Sequence, residues 1–526
     1  EPRVRELVRE VFGHDDLLPG QARASAALLQ GRDVLLVAAT GSGKSLVYQS
    51  AGLLRGGCTV VVSPLLALQE DQIRGLEEAP GRRIRAARLS STESAGERDD
   101  VLGALDAGEL DFVFVAPEQL ANDDVRRALA AAEPTLVAVD EAHCVSMWGS
   151  DFRPDYFRLG GLVAELGRPP VVALTATAAQ PVREDIVERL DLRDVRTVVT
   201  GFARDELTLE VVPCAGADEQ REQVLDLVGA APPGTAGIVY CRTRPAAEQY
   251  ADAIAATGRR AAAYHAGLSR TQRERAHEAF HAGDVEVVVA TSAFGMGIDE
   301  PDIRFVVHAQ VPESPDTYYQ EVGRAGRDGE PATGTLVYRP EDLALGRFFS
   351  GGIPAEDDVV AVVAAAEQVG AEVAAVQEHT GLGRRKAGRI LNLRELALAT
   401  GPGGPDQTVA AIYDIAEAQR KLERSRVEMI RTYAEGERCR SQFLLRYLGD
   451  AEATRCGRCD NCRDGVAIDD GTATPYPLQT EVTHPEFGDG VVTDVEPDRV
   501  TVLFDDVGYR TLALEVVEEG DLLEVR

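Results

Sequence analysis

The sequence predicts an α/β protein in which two doubly wound parallel sheets follow one another along the chain. Short runs rich in Val and Leu alternate with longer helical patterns, and the whole alternation occurs twice. A glycine-rich loop follows the first buried run, and four clustered cysteines follow the second set. We therefore expect two tandem α/β domains, then a helical segment, a four-cysteine module and a small all-β barrel.

Strand-like runs place the first α/β domain at residues 1–200 and the second at 201–347. The runs of the first domain are Asp33–Ala38, Thr59–Val62, Phe112–Val115, Leu136–Val139 and Val171–Leu174. Those of the second are Ala236–Tyr240, Ala261–Tyr264, Val285–Ala290, Phe305–Val307 and Gly334–Tyr338. The rest is expected to divide into a helix-turn-helix or winged-helix-like segment (348–415), a zinc-binding module (416–465), a linker (466–479) and a barrel (480–526).

The loop after the first run has the pattern of a phosphate-binding P-loop. It lies between a predicted strand and a predicted helix, which is the context that this motif requires. The chain has only three lysines, and one of them, Lys44, occupies the position that reaches the β and γ phosphates. Ser45 follows it and is expected to bind Mg²⁺. The predicted nucleotide-binding residues of the loop are Thr40, Gly41, Ser42, Gly43, Lys44 and Ser45.

A second motif, which is acidic, follows the run Leu136–Val139. Asp140 is expected to hold Mg²⁺, Glu141 to orient or deprotonate the attacking water, and His143 to sense the γ-phosphate. Thr175 and Thr177, at the end of the next run, either link this motif to the second domain or serve as a helix cap.

The second α/β domain offers residues of its own to a nucleotide. Asp299 ends a glycine-bearing loop after a strand and is predicted to contact the nucleotide. Arg324 and Arg327 lie three residues apart, and would face the same side if they begin a helix. Offered across a cleft to a P-loop, they are interpreted as arginine fingers, although surface ion pairs are the alternative.

Four closely spaced cysteines predict a metal site. Cys439, Cys456, Cys459 and Cys462 have the spacing of a four-thiolate zinc site, and disulfides are the less favoured alternative in a reducing compartment. The other four cysteines are scattered and are expected to be reduced.

A basic helical pattern precedes the cysteines. Residues Thr380–Gly383 interrupt two helical patterns, and the second carries Arg384, Arg385, Lys386 and Arg389. This resembles a helix-turn-helix that would bind DNA through its second helix, or a plain helical hairpin with solvated charges.

These motifs, in this order, resemble the RecQ family of superfamily 2 DNA helicases over roughly residues 10–465. The resemblance implies RecA-like α/β domains, ATP with Mg²⁺ as cofactor, structural Zn²⁺ and movement 3′→5′ along single-stranded DNA. Its most specific stretch, Cys144–Tyr156, resembles the aromatic-rich loop that couples strand binding to hydrolysis. The residues expected to bind DNA there are Trp148, Phe152 and Arg153.

The resemblance also implies an adenine site upstream of the P-loop. Gln21 matches the glutamine that reads the adenine edge, but His14 and Leu18 replace an aromatic residue and an arginine. We expect weaker base binding and poor discrimination against GTP, unless Gln21 suffices or Arg204 supplies the missing stacking partner.

Charge is distributed unevenly along the 526 residues, whose net charge is −32. Residues 384–446 carry thirteen Lys/Arg against eight Asp/Glu, whereas 466–526 carry three against fifteen. The basic region suits nucleic acid, and the acidic end, which resembles SH3- or Tudor-like tails, suits a protein partner. With no run of eighteen apolar residues and a charged start, we expect no membrane span, no secretion and a bacterial cytoplasmic, nucleoid-associated location.

The resulting hypothesis is an ATP-dependent helicase that unwinds duplex or forked DNA in repair and recombination. Its partners would be single-stranded, tailed and forked DNA. The alternatives are a translocating ATPase that remodels protein–DNA complexes without unwinding, and a DNA-bound scaffold that recruits a protein through its acidic tail.

Overall fold

A computed structural model describes the chain from Glu1 to Arg526, apart from several short segments. The residues outside the description are 15–16, 40, 65, 147–155, 157–158, 177–179, 201–203, 296–301, 350–351, 400, 402–403, 451–452 and 469–474. Contacts divide the chain into two compact units. The first comprises Glu1–Gln310, Asp316–Arg339 and Cys439–Val466, and the second comprises Val311–Pro315, Pro340–Arg438 and Ala467–Arg526.

The first α/β domain is built on a seven-stranded parallel sheet. Its strands are β1 (Val34–Ala38), β2 (Thr59–Val62), β3 (Ala86–Leu89), β4 (Phe112–Val115), β5 (Leu136–Val139), β6 (Val171–Thr175) and β7 (Arg196–Thr200). They lie in the order β3-β4-β2-β5-β6-β1-β7. The central strands are buried on both faces, which explains their unbroken apolar sequences.

Helices connect these strands and cover the sheet. They are α1 (Pro2–Leu7), α2 (Pro19–Leu29), α3 (Ser45–Arg55), α4 (Leu66–Glu77), α5 (Ala95–Asp106), α6 (Asp123–Ala131), α7 (Leu159–Glu165) and α8 (Gln180–Arg189). One apolar core joins α2 and α3 to the strands, with Leu28, Tyr48 and Phe112 among its buried side chains.

The second α/β domain repeats this architecture with a six-stranded parallel sheet. Its strands are β8 (Leu207–Pro213), β9 (Gly237–Tyr240), β10 (Ala261–Tyr264), β11 (Val287–Ala290), β12 (Phe305–His308) and β13 (Ala332–Tyr338), in the order β10-β11-β9-β12-β13-β8. Its helices are α9 (Ala217–Ala230), α10 (Arg244–Ala256), α11 (Arg270–His281) and α12 (Pro315–Val322). The predicted pair of tandem α/β domains is confirmed.

A helical segment and the cysteine module follow. The helices are α13 (Leu343–Phe349), α14 (Glu356–Val369), α15 (Val373–Thr380), α16 (Arg384–Ala399), α17 (Pro405–Glu435), α18 (Arg440–Tyr447) and α19 (Asp460–Arg463). The expected boundary between 415 and 416 falls inside α17, which is one continuous helix. The break predicted at Thr380–Gly383 does separate α15 from α16, although Thr380 itself is the last residue of α15.

The C-terminal region, where the sequence predicted a small all-β barrel, is a five-stranded antiparallel sheet. Its strands are β14 (Glu481–His484), β15 (Gly488–Val495), β16 (Arg499–Phe504), β17 (Gly508–Ala513) and β18 (Glu524–Val525), and α20 (Leu514–Gly520) precedes the last strand. Within the second compact unit, a buried ion pair of 3.0 Å joins Arg438 to Asp494 of this sheet.

Within the described part of the chain, no single helix is long and apolar enough to cross a membrane. The pair α14 and α15 passes the criterion of length and composition only when counted together, across a bend of 118°.

Candidate active site and zinc module

The P-loop joins the buried end of β1 to the start of α3. Gly41 and Gly43 have φ angles of +80° and +67°, which disfavour any residue with a Cβ atom. A Cβ atom on Gly43 would also lie only 2.9 Å from Nε2 of Gln21. Both glycines therefore suit a loop whose main chain bends tightly around an anion. Thr40 lies outside the described residues.

The predicted phosphate-binding lysine is half-buried in this loop. Nζ of Lys44 donates to the carbonyl oxygens of Ala38 (2.9 Å) and Ala39 (3.2 Å). Burial lowers the pKa of Lys44, whereas the charges of Glu141 and Asp140 raise it. The hydroxyl of Ser42 is buried and lacks a hydrogen-bond partner among the described residues. A half-buried ammonium beside a buried hydroxyl fits a phosphate ligand.

Asp140, directly after β5, is a half-buried carboxyl group close to another acid. It accepts hydrogen bonds from the main-chain N–H of Glu141 (3.0 Å) and from the hydroxyl of Ser63 (3.4 Å). Burial and the charge of Glu141 raise the pKa of Asp140 to about 7, against the opposing effect of Lys44. A cation would relieve this repulsion, so the donor set fits Mg²⁺. Ser63 was missed in the sequence, where its only signal is its place directly after the neighbouring strand β2.

Glu141 and His143 form a small buried group with Thr175. Glu141 adopts a left-handed backbone conformation with φ +47°. Nδ1 of His143 lies 3.4 Å from the Glu141 carboxylate and 3.0 Å from the Thr175 hydroxyl. The structure thus brings three predicted residues together at the carboxyl ends of β5 and β6, while Thr177 lies outside the described residues.

Gln21 contacts the P-loop through its amide. Its Nε2 donates to the carbonyl oxygens of Ser42 (2.7 Å) and Gly43 (3.0 Å), and its Oε1 accepts from the N–H of Leu18 (2.9 Å). Adenine recognition by Gln21 stays a prediction, and it requires an exchange of some of these bonds.

The two predicted arginine fingers lie in different places. We call residues 323–328, between α12 and β13, the finger loop. A Cβ atom on Gly41 would lie 3.3 Å from Cδ of Arg327, so this side chain lies against the P-loop of the other α/β domain. Arg324 is buried within its own domain and hydrogen-bonds Tyr240, which sequence reasoning missed. The segment is a turn after α12, not the start of a helix, which is why the two arginines do not share one face.

The four cysteines form a compact cluster. Their sulfur atoms all lie within 4.8 Å of one another, and those of Cys439 and Cys456 are 3.5 Å apart. A tetrahedral site with Zn–S bonds of about 2.3 Å requires sulfur separations of about 3.8 Å, so the cluster fits zinc. The N–H groups of Arg440, Cys456 and Cys459 point at sulfur atoms and favour thiolates.

The predicted DNA-binding residues divide into two groups. Trp148, Phe152 and Arg153 lie outside the described residues, as does Asp299 of the predicted nucleotide site. Arg384, Arg385, Lys386 and Arg389 are exposed on the first turns of α16, and Lys386 forms an ion pair with Asp358.

Comparisons with known proteins agree with this geometry. The DEAD/DEAH box helicase family matches residues 18–185, the helicase conserved C-terminal domain matches 219–329, and the RecQ zinc-binding family matches 406–463. The chain is therefore similar to known helicases in both α/β domains and around the cysteine cluster.

Among solved structures, the chain resembles other helicases. It matches Mycobacterium smegmatis helicase Lhr, bound to ssDNA and AMP-PNP, with a TM-score of 0.53 and 25% identity, over 75% of this chain and 57% of that chain. It matches the DUF1998 helicase MrfA, bound to DNA and AMPPNP, with a TM-score of 0.54 and 22% identity, over 66% and 51% of the two chains. The second match supports the fold alone.

Curated relatives are more informative. The chain is 35% identical over 473 residues to the ATP-dependent DNA helicase RecQ of Haemophilus influenzae, covering 90% of this chain and 65% of the relative. It is 34% identical over 472 residues to the same protein of Bacillus subtilis, covering 89% and 68%. The chain thus spans about two thirds of the length of these relatives. From the nucleotide-site geometry, the cysteine cluster and these identities, we conclude that the chain belongs to the RecQ family of ATP-dependent DNA helicases.

Proposed function

We propose that the chain hydrolyses ATP to translocate 3′→5′ along single-stranded DNA and to unwind tailed or forked duplexes in repair and recombination. The observation that carries the proposal is the position of Arg327 against Gly41. One α/β domain supplies the P-loop and the other supplies a cation beside it, so occupancy of the site couples the two domains. Such coupling is what a translocating motor requires.

Each residue of the site has a proposed task. Lys44 binds the β and γ phosphates, and Ser45 and Asp140 hold Mg²⁺, which supplies charge neutralisation when bound. Glu141 orients the attacking water, His143 holds the Glu141 carboxylate in place, and Thr175 holds the His143 ring. Arg327 stabilises the charge that develops on the transferred phosphoryl group.

The proposed DNA contacts come from three places. Trp148 and Phe152 stack on bases, and Arg153 binds a phosphate, which would couple strand binding to hydrolysis. The exposed arginines at the start of α16 contact the DNA backbone. The acidic C-terminal sheet is proposed to bind a protein, because it would repel DNA. We further propose a cytoplasmic, nucleoid-associated location.

Strand displacement on 3′-tailed, 5′-tailed and forked duplexes, with ATP hydrolysis measured alongside, tests the proposal. We expect displacement of 3′-tailed and forked substrates, and weaker displacement of 5′-tailed ones. Hydrolysis stimulated by DNA without any displacement would favour the remodelling ATPase, whereas preference for a 5′ tail would refute the polarity. An Arg327→Ala variant should lose displacement and retain only residual hydrolysis, while Arg32→Ala, which removes a pair with Asp194, is the control.

A further inference from the structure

The finger loop accepts hydrogen bonds from an arginine that is distant in sequence. Nη1 of Arg204 donates to the carbonyl oxygen of Gly323 (3.1 Å), and Nη2 donates to that of Ala325 (2.8 Å). These two carbonyls flank Arg324 and lie just before Arg327. A planar guanidinium can hold two acceptors at a fixed separation, which a flexible ammonium cannot do. Arg204 therefore fixes the main-chain path of the loop.

The partner of Arg204 supports the same loop. Arg204 forms a partly buried ion pair with Glu206, and a Cβ atom on Gly326 would lie 3.0 Å from Cγ of Glu206. Gly326 has φ +68°, so the loop turns sharply where Glu206 packs against it. The orientation of Arg204 is thus fixed by contacts on two sides.

The other end of the finger loop is held separately. Nη2 of Arg304 lies 2.6 Å from each carboxylate oxygen of Asp328. This pair lowers the pKa of Asp328 through the hydrogen bond from Arg304. Arg327 thus lies between two fixed points, and its reach to the P-loop depends on both.

The zinc module contacts the main chain of Arg204. Nη2 of Arg458, which lies between the zinc ligands Cys456 and Cys459, donates to the carbonyl oxygen of Arg204 (2.9 Å). Its Nε donates to the carbonyl oxygen of Leu207 (3.4 Å). A continuous series of bonds therefore runs from the cysteine cluster through Arg458 and Arg204 to the loop that carries Arg327.

We propose that Arg204 is a positioning residue that aligns Arg327 with the P-loop, and that Arg458 supports it from the zinc module. The inference rests on the proposed role of Arg327 in hydrolysis. Arg204 acts on the main chain of the finger loop, so its loss should lower kcat for DNA-stimulated hydrolysis while KM for ATP and the affinity for single-stranded DNA stay unchanged. A finger displaced by about 1 Å costs about 10²-fold in rate.

A double-mutant cycle on kcat tests this assignment. Arg204→Ala is expected to lower kcat by about 10- to 100-fold, and Arg204→Lys to lower it less. In an Arg327→Ala background, Arg204→Ala should change kcat less than twofold, because the residue that it positions is already gone. Arg458→Ala should also lower kcat, by a smaller factor, and should have little effect on kcat in the Arg327→Ala background.

Arg259→Ala is the matched control. Arg259 lies in the same domain and also donates to main-chain carbonyl oxygens, those of Pro232, Val228 and Ala231. It should lower the melting temperature about as much as Arg204→Ala does and leave kcat unchanged. If both variants lower kcat equally, or if the losses of Arg204→Ala and Arg327→Ala multiply, the positioning role is overturned. If Arg327→Ala alone leaves hydrolysis intact, the proposed function fails instead.

Discussion

The two ends of the first parallel sheet each carry an aspartate, and the two aspartates have opposite surroundings. At the amino end, Asp33 precedes β1 and accepts from the N–H groups of Val171 (2.8 Å) and Arg193 (2.6 Å), while Arg168 lies 2.7 Å away. At the carboxyl end, Asp140 faces Glu141, and its pKa is raised to about 7. The first carboxylate joins the start of β6 to the loop before β7, whereas the second lies beside another acid.

The unfavourable electrostatic interactions of this domain therefore lie at the carboxyl end of the sheet. Donors converge on the carboxylate at the amino end, so its charge stabilises the fold. At the carboxyl end, burial disfavours the charged forms of both Lys44 and Asp140. The binding residues therefore reduce stability until a ligand neutralises them.

The largest expected effect is at the amino end. Asp33→Asn replaces one acceptor with an amide N–H group that faces the donors of Val171, Arg193 or Arg168. Breaking such a buried pair typically costs about 3–5 kcal/mol. Chemical unfolding followed by circular dichroism should show this loss as a lower midpoint of the transition that unfolds the first α/β domain. Hydrolysis per folded molecule should be unchanged. An unaltered transition would mean that Asp33 does not join the strands.

At the carboxyl end, Lys44→Ala should have the opposite profile. We expect DNA-stimulated hydrolysis to fall about 10²- to 10³-fold, because a phosphate contact is lost. Since burial lowers the pKa of Lys44, the melting temperature without nucleotide should not decrease. Lys421, an exposed lysine paired with Glu417, provides the control substitution Lys421→Ala. Near-normal turnover in Lys44→Ala would contradict the assignment.

The smallest effect, of opposite sign to that at Asp33, is expected for Asp140→Asn. A folded-state pKa of about 7, against 3.8 in the unfolded chain, means that the contribution of Asp140 to stability is present below pH 4 and is lost as the pH rises through 7. At pH 8 this pKa difference corresponds to a destabilisation of at most about 4 kcal/mol, which Asp140→Asn would remove. The variant also loses acceptor contacts, so we expect a net increase in the free energy of unfolding of about 2 kcal/mol.

Unfolding of Asp140→Asn and of the unsubstituted protein, without magnesium or nucleotide, should therefore be compared at pH 5 and pH 8. The variant should be the more stable of the two at pH 8, and the difference should shrink at pH 5. A stability difference that does not depend on pH would show that ionisation of Asp140 does not destabilise the fold.

Sequence patterns predicted the centre of each sheet better than its edges. Strands buried on both faces, such as β4 and β5, have unbroken apolar sequences and were predicted with the observed bounds. The strand-like runs did not include the edge strands β3, β7 and β8, although they did include the edge strand β10. Of the strands left out, β7 has exposed polar residues such as Arg196. An edge strand has only one neighbour, and half of its side chains need not be apolar.

The candidate site shows the same division between local and distant information. The P-loop and Asp140 are recognisable because strand, loop and helix follow one another in sequence. The grip of Arg204 on the finger loop joins residues about 120 positions apart, so no local pattern contains it. The sequence also offered Arg204 as a stacking partner for adenine, which stays a prediction, and no local pattern indicated that its guanidinium contacts main-chain carbonyls of the finger loop.

The zinc module also covers an open edge of the second sheet. β8 is an edge strand, and the N–H of its Val211 donates to the carboxylate of Asp460 (2.9 Å), the residue after Cys459. Arg463 adds an ion pair of 2.5 Å with Glu210. An uncovered edge is a template for pairing with another chain. The metal therefore has a consequence for solubility as well as for local folding, because a chain stripped of zinc would expose β8 to edge-to-edge aggregation.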